Sequence, residues 1–233
     1  MKSKNKIYEE NLKTFEHNNI FKPTLTSKLL INVAKLFLKK KQKILDLGCG
    51  GGIISASLFN RNYNQTFHLS DLSINAIKKA KKNLKSFKGK FIFKSGDGFD
   101  PWKGNKYDLI INDISGISSA VSKISPWFKN VPIDKSIKGT SLLKKTINKS
   151  SNYMNKESII IFPLISLCDT QDAKRFVKKK LKILKEFNFE WPLPKVMMGN
   201  IKLFSKFKKK KYISYKEKYG IIICTTTIVV AKI

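Results

Sequence analysis

At 233 residues the chain suits one α/β domain with a small appendage, and two ordinary domains are not expected. Cys49, Cys168 and Cys224 lie far apart with no C-x-x-C pair or histidine cluster, no apolar run reaches about eighteen residues, and the N-terminus lacks an apolar signal core; a disulfide framework, a metal site, secretion and a membrane span are therefore not expected, and a reducing cytoplasm fits. The formal charge of +31 lies far outside the magnitude of roughly 2 to 8 usual for a small soluble domain, which leaves a nucleic-acid partner open. It does not assign one: of 47 basic residues only Arg61 and Arg175 are arginine, the side chain best suited to phosphate and guanine, and lysine, asparagine and isoleucine are abundant together, as in a translated AT-rich genome.

Residues 5–17 predict a short helix, with Tyr8, Leu12 and Phe15 on one face. A break at 21–27 offers Thr24 or Thr26 as N-cap to a helix over 28–38, whose Leu29, Leu30, Val33 and Phe37 face a sheet. Next comes KILDLGCGGGI at 43–53. Ile44, Leu45 and Leu47, broken by Asp46 and followed by four glycines and an apolar helical pattern (53–59), read as buried strand, tight turn and helix. Glycine serves there because the turn needs backbone angles closed to other residues and lets a ligand lie against the main chain, while the new helix offers unpaired N–H groups. Gly48, Gly50 and Gly52 give G-x-G-x-G, which fits neither the dinucleotide fingerprint nor, lacking a following Lys-Ser or Lys-Thr, a P-loop.

DLGCGGG closely resembles the first motif of the class I S-adenosylmethionine-dependent methyltransferases. The resemblance implies that cofactor, with Asp46, Gly48, Cys49 and Gly50 bordering its amino-acid part, and a side chain added at Gly48 would fill the space of its methionine end. The Pro-Thr break before the entry helix is similar to that of methyltransferases with the so-called small domain, where it lies beside the cofactor. Residues 66–69 alternate toward Asp71, expected at the carboxyl end of a second strand, where two acceptor oxygens suit both ribose hydroxyls, with Leu72 beside it. Ser73 caps a following helix whose lysines form its solvated face. A third strand from Lys90 ends in Gly96-Asp97-Gly98; in the resembled family the acid accepts from the adenine amino group and the next backbone N–H, here that of Gly98, reaches the ring.

The fourth strand, 107–113, delivers Asn112, Asp113 and Ser115 to the same edge, so that polar strand ends converge where open α/β sheets bind ligands. These three are the candidate catalytic residues, with Asn112 shared with the cofactor shell. Asp113 is expected to orient the nucleophile. Release-factor glutamine methyltransferases and the amino methyltransferases of adenine and guanine carry Asn-Pro-Pro-Tyr here, whereas this chain reads Asn112-Asp113-Ile114-Ser115-Gly116. Losing both prolines and the aromatic removes the platform that holds a planar amide or base, although Trp127 or Phe128 can supply another. His17 and His68 read as structural or exposed.

A loop punctuated by proline and aromatics (117–138) leads to a helix at 140–150, a buried strand at 157–162 closed by Pro163, and a long helix over 172–187 with Leu184 inward. A sixth strand is expected within 195–204, then the basic run Lys206 to Lys211 and a closing strand over 220–231. The whole reads as a Rossmann-like, doubly wound, seven-stranded and mostly parallel sheet with an antiparallel C-terminal strand, spanning 26–233 behind an accessory helix in 1–25. The implied activity is methyl transfer to an acceptor the sequence does not name, macromolecule or small metabolite; a non-catalytic cofactor-binding protein or a basic RNA-binding protein that kept the fold is the alternative. Oligomeric state is not legible.

Overall fold

The structure, a computed structural model, describes residues 23–114, 116–128 and 133–233; the helix expected over 5–17, His17 and Ser115 lie outside them. Eight strands form one sheet: β1 (Lys41–Leu47), β2 (Asn64–Asp71), β3 (Lys90–Ser95), β4 (Tyr107–Asn112), β5 (Met154–Ile165), β6 (Lys182–Pro192), β7 (Lys216–Lys218) and β8 (Ile221–Lys232). The continuous path has seven strands in the order β3-β2-β1-β4-β5-β8-β6, and the short β7 pairs with β8. Strands β1 to β5 run parallel, while β8 lies antiparallel between β5 and β6. Eight helices are described: α1 (Leu25–Ala34), α2 (Ile53–Leu58), α3 (Ile74–Leu84), α4 (Ser119–Ile124), α5 (Ser141–Ser150), α6 (Thr170–Lys180), α7 (Lys195–Met198) and α8 (Ile201–Lys209).

Period-two alternation splits the core. On one face Ile44, Phe67, Leu69, Leu109, Ile111 and Ile161 pack with Leu30, Ile54, Ile77 and Leu84 of α1, α2 and α3. On the other, Leu45, Leu47, Ile110, Ile160 and Phe162 pack with Ile147 of α5 and Val177 of α6. Asp46 shares the first face with Ile44, which aims it at α2. His68 is buried against Trp102 and shares a 2.9 Å hydrogen bond between Nδ1 and the Tyr107 hydroxyl; burial lowers its pKa to about 4, so it is a neutral core residue.

Four expectations change. The entry helix begins at Leu25 behind Thr24, whose N–H bonds Ser27 Oγ at 3.4 Å, and passes into a 3-10 turn at Lys35–Phe37. Strand β5 runs on through Pro163 to Ile165, because the pairing with β4 ends at Ile161 and only β8 borders the strand beyond it. The helix over 172–187 stops at Lys180: Phe187, Phe189 and Trp191 alternate with period two and pair with β8 as far as Pro192, leaving Leu184 exposed. Residues 195–204 are helical, with Met197, Phe204 and Phe207 buried at helical spacing after Pro194.

These last residues belong to a third core. The stretch between β6 and β8 sets Met197, Phe204, Phe207 and Ile213 against Ile117 and Val121, at the carboxyl end of β4, and against Ile222 and Cys224 of β8. Phe204 is fully buried there. Phe204→Ala should lower stability by about 3 to 5 kcal/mol in urea denaturation, the usual cost of emptying a phenylalanine site. A loss below about 1 kcal/mol would mean that α8 is not seated on the sheet.

Candidate active site

The turn after β1 is held from both ends. Gly48 and Cys49 N–H donate to the Ser70 carbonyl at 2.9 and 3.0 Å, and Gly50 N–H donates to Asp71 Oδ2 at 3.0 Å, so the end of β2 fixes the path of the loop. Gly48 has φ +71° and Gly52 φ +86°, left-handed values that glycine adopts without cost. A Cβ on Gly52 would press on Leu84 and Ala80 of α3, so this glycine also lets α2 and α3 approach. A Cβ on Gly48 would lie 2.8 Å from Ile114 Cγ1, so a side chain there collides first with the β4 end of the fold and is no clean probe of a ligand's space.

Above the turn opens a cleft of about 400 Å³, a size that suits a cofactor-sized ligand. Gly48, Cys49, Gly50, Asp71, Leu72, Asp97, Gly98 and Asp113 all line it, as do Pro23 and Ser27 from the entry to α1. Asp71 accepts from Gly50 and, through Oδ1, from Ser73 N–H at 2.8 Å. Burial raises its pKa and these two N–H groups oppose the rise. Each oxygen keeps a lone pair for a ligand hydroxyl. Asp97 is half exposed and ion-paired with Lys145 of α5, while Lys149 pairs with Asp100 at 2.7 Å. Leu72 forms an exposed rim. The Cys49 thiol is buried, and burial raises its pKa well above the ordinary value.

Two expected residues stand beneath the cleft rather than on its wall. Asp46 is fully buried; Oδ2 accepts from Ser55 of α2 at 2.7 Å, and Oδ1 has no partner among the described residues. Burial pushes its pKa up to about 7. Asn112 is also fully buried, on the same side of β4 as Ile110, and neither of its polar side-chain atoms has a partner among the described residues. It lines neither this cleft nor the smaller cavity described next.

Asp113 joins two spaces. It lies on the wall of the cleft and also on that of a second cavity of about 70 Å³, together with Phe128, which is likewise shared. Its backbone N–H bonds the Leu47 carbonyl at 3.1 Å, and its Oδ2 accepts from Ser27 Oγ at 2.9 Å. Burial raises its pKa to about 7 against the lowering effect of Ser27, and nearby Asp46 adds to the rise. Ser27 and Lys145 were missed in the sequence. Ser27 sits in the first turn of α1, where a hydroxyl reads as a capping residue, and nothing local marks Lys145 among so many lysines. Among the described residues no cluster of three or more acidic, histidine or cysteine side chains is arranged to hold a metal ion, and no helix is long and apolar enough to cross a membrane.

The arrangement fits S-adenosylmethionine. A chain of +31 gathers the carboxylates of Asp71, Asp97 and Asp113 around one cleft, with Asp46 below, and this local negative charge suits a sulfonium cation. The raised carboxyl of Asp46 also fixes the sign of a stability effect. Between its unfolded value of 3.8 and about 7 the folded chain binds more protons at this position than the unfolded chain, so rising pH across that window lowers stability. Asp46→Asn removes that loss: its melting temperature should gain on that of the parent as pH rises from about 4 to 7 and run parallel above 7. A constant difference across the window would mean that Asp46 does not titrate there.

Comparison with known proteins gives the same picture. The methyltransferase small domain family matches residues 15–113, the stretch from the N-terminal region to Asp113. The release factor glutamine methyltransferase of Bacillus cereus is 25% identical over 161 residues, covering 65% of this chain and 56% of that protein, so the chain spans little more than half the length of this relative. Ribosomal RNA small subunit methyltransferase C of Haemophilus influenzae is 35% identical over 75 residues, 32% of this chain and 22% of that one. A methyltransferase from Pyrococcus furiosus shares the fold, with a TM-score of 0.58 at 11% identity over 99% of this chain and 96% of its own. With its glycine turn, its strand order and its family match in agreement, the chain belongs with the class I S-adenosylmethionine-dependent methyltransferases.

Proposed function

We propose that residues 26–233 form a catalytic domain that transfers a methyl group to an acceptor carried on RNA, with Asp113 orienting the acceptor atom. The observation that carries this reading is the position of Asp113 between the cofactor cleft and the second cavity. The net charge and the relative that acts on ribosomal RNA support a polyanionic acceptor. The three cysteines, unpaired and buried, support a reducing compartment such as the cytoplasm.

S-adenosylmethionine, when bound, supplies a methyl group on a positively charged sulfur, which keeps the C–S electron pair as the acceptor's lone pair forms the new bond. The protein has to align acceptor and methyl and exclude water, which can lower the barrier by about 7 to 11 kcal/mol. Asp71 is assigned to the ribose hydroxyls, the glycine turn to the amino-acid end, and Asp97 with Gly98 to the adenine. Asn112 and Asp46 support the site from below, and Ser115 completes the loop after β4. An acceptor N–H donating to Asp113 is held with its lone pair toward the methyl group. The proton it loses passes to the Asp113 carboxylate, whose pKa near 7 suits that exchange.

Two outcomes test these roles. Asp71→Ala should weaken S-adenosylmethionine binding by about 1 to 3 kcal/mol in calorimetric titration, since the ribose hydroxyls lose a charged acceptor; unchanged affinity would remove Asp71 from the cofactor site. Ser27→Ala removes the hydroxyl that lowers the Asp113 pKa, so the acidic limb of the pH–rate profile for methyl transfer should move to higher pH with cofactor affinity little changed. A profile that does not move would mean that Asp113 does not set it.

A further inference from the structure

The cavity beyond Asp113 is built from parts the Asn-Pro-Pro-Tyr platform does not use. Trp127 and Phe128 come from the 3-10 turn after α4, Trp191 from the end of β6, and Ile117 and Ile165 close the floor. The two indoles stand at 77° with centroids 5.7 Å apart, forming a corner in which a flat ring can lie on one face and abut the other. Trp191 is fixed there: its Nε1 donates to Thr226 Oγ1 of β8 at 2.9 Å. Thr24 and Thr26 add polar edges, and the one charged group on the wall is Asp113.

Size and charge select the occupant. About 70 Å³ admits one small flat group and falls well short of the roughly 300 to 1,000 Å³ of sites that enclose a free small molecule, so the slot takes an appendage of something larger. Aromatic walls hold planar rings whatever their hydrogen bonds, and a carboxylate at the throat then selects rings that carry an N–H donor. The lysine-rich surface attracts a polyanion, whose flat appendages are bases.

We propose that this aromatic corner is the acceptor slot, and that it takes an unpaired nucleobase bearing an exocyclic amino group, with Trp191 and Trp127 as its specificity-determining residues. The proposal rests on the reading of Asp113 as the acceptor-orienting group. Adenine and cytosine then stack against the indoles while the amino group donates to Asp113 on the edge of the cofactor cleft. Uracil stacks but offers Asp113 no amino group. The absence of the Asn-Pro-Pro-Tyr prolines and aromatic is made good by indoles brought from 127 and 191, residues far apart in sequence.

The test measures the affinity of labelled oligo-adenylate, oligo-uridylate and an abasic sugar–phosphate oligomer of equal length, at one fixed salt concentration, by fluorescence anisotropy. For the parent chain the order should be adenylate, then uridylate, then abasic. Trp191→Ala should weaken oligo-adenylate binding by about 5- to 150-fold, the range that one base–aromatic stack supports, while the abasic oligomer binds as before. Trp191→Phe should recover most of the loss, and Trp127→Ala, which removes the other wall without touching the sheet, should repeat it. Equal affinity for the three oligomers, an equal loss for all of them in the variants, or displacement by a glutamine peptide with no preference among oligomers would overturn the slot. Calorimetry with S-adenosylmethionine on Trp191→Ala separates the two readings: cofactor binding should be unchanged, and a parent chain that selects oligo-adenylate without binding the cofactor would leave the slot standing and sink the methyl transfer.

Discussion

The site depends on a tight turn made under constraint from both sides. Strand β1 is flanked by β2 and β4 and covered on both faces, so the chain leaving it at Leu47 has no room for a wide loop. It turns through left-handed glycines at 48 and 52, and the main-chain donors of the turn are taken up by Ser70 and Asp71 at the end of β2. The loop is therefore made rigid by the neighbouring strand as much as by its own glycines. The same carboxylate that anchors Gly50 N–H also holds Ser73 N–H ahead of α3, so one side chain fixes the start of two helices and faces the cleft.

Burial gives that cleft its electrical character. In a chain with a large excess of lysine, carboxylates on the surface meet cations, as Asp97 meets Lys145 and Asp100 meets Lys149. Asp46 and Asp113 are instead withdrawn from water and bonded only by the serine hydroxyls of Ser55 and Ser27, weak partners that leave both near neutrality of their proton balance at pH 7. The lysines of the run from 206 have a local role as well. Several lie in the last turn of α8, where cations suit the helix dipole, and Lys208 reaches Glu217 at 3.6 Å and the Tyr215 ring.

The region beyond β6 ties the molecule's end to its site. By packing α7 and α8 against Ile117 and Val121 it supports the segment that carries Trp127, and by pairing with β8 it carries Trp191 to the opposite wall. The acceptor side of the sheet is thus built from parts of the chain that the cofactor motif does not include.

How much could be read in advance followed the range of the interactions. The strand, glycine turn and helix at 43–53, the acid at Asp71, the Ser73 cap and the parallel core were legible because each is set by neighbours within a few residues, through period, φ restriction and capping. Beyond 170 the reading failed where two local patterns competed: 182–192 carries both a weak helical stripe and the alternation of Phe187, Phe189 and Trp191, and the long ladder with β8 decided for the strand. Depth was also hidden. Sequence placed Asp46, Asn112 and Asp113 at strand ends, but only packing put the first two under the floor and the third on the wall of two cavities. Local chemistry determined the cofactor cradle, while the acceptor side was decided by tertiary structure, because its walls come from Ser27, Asp113, Trp127 and Trp191, which meet only when the sheet has closed.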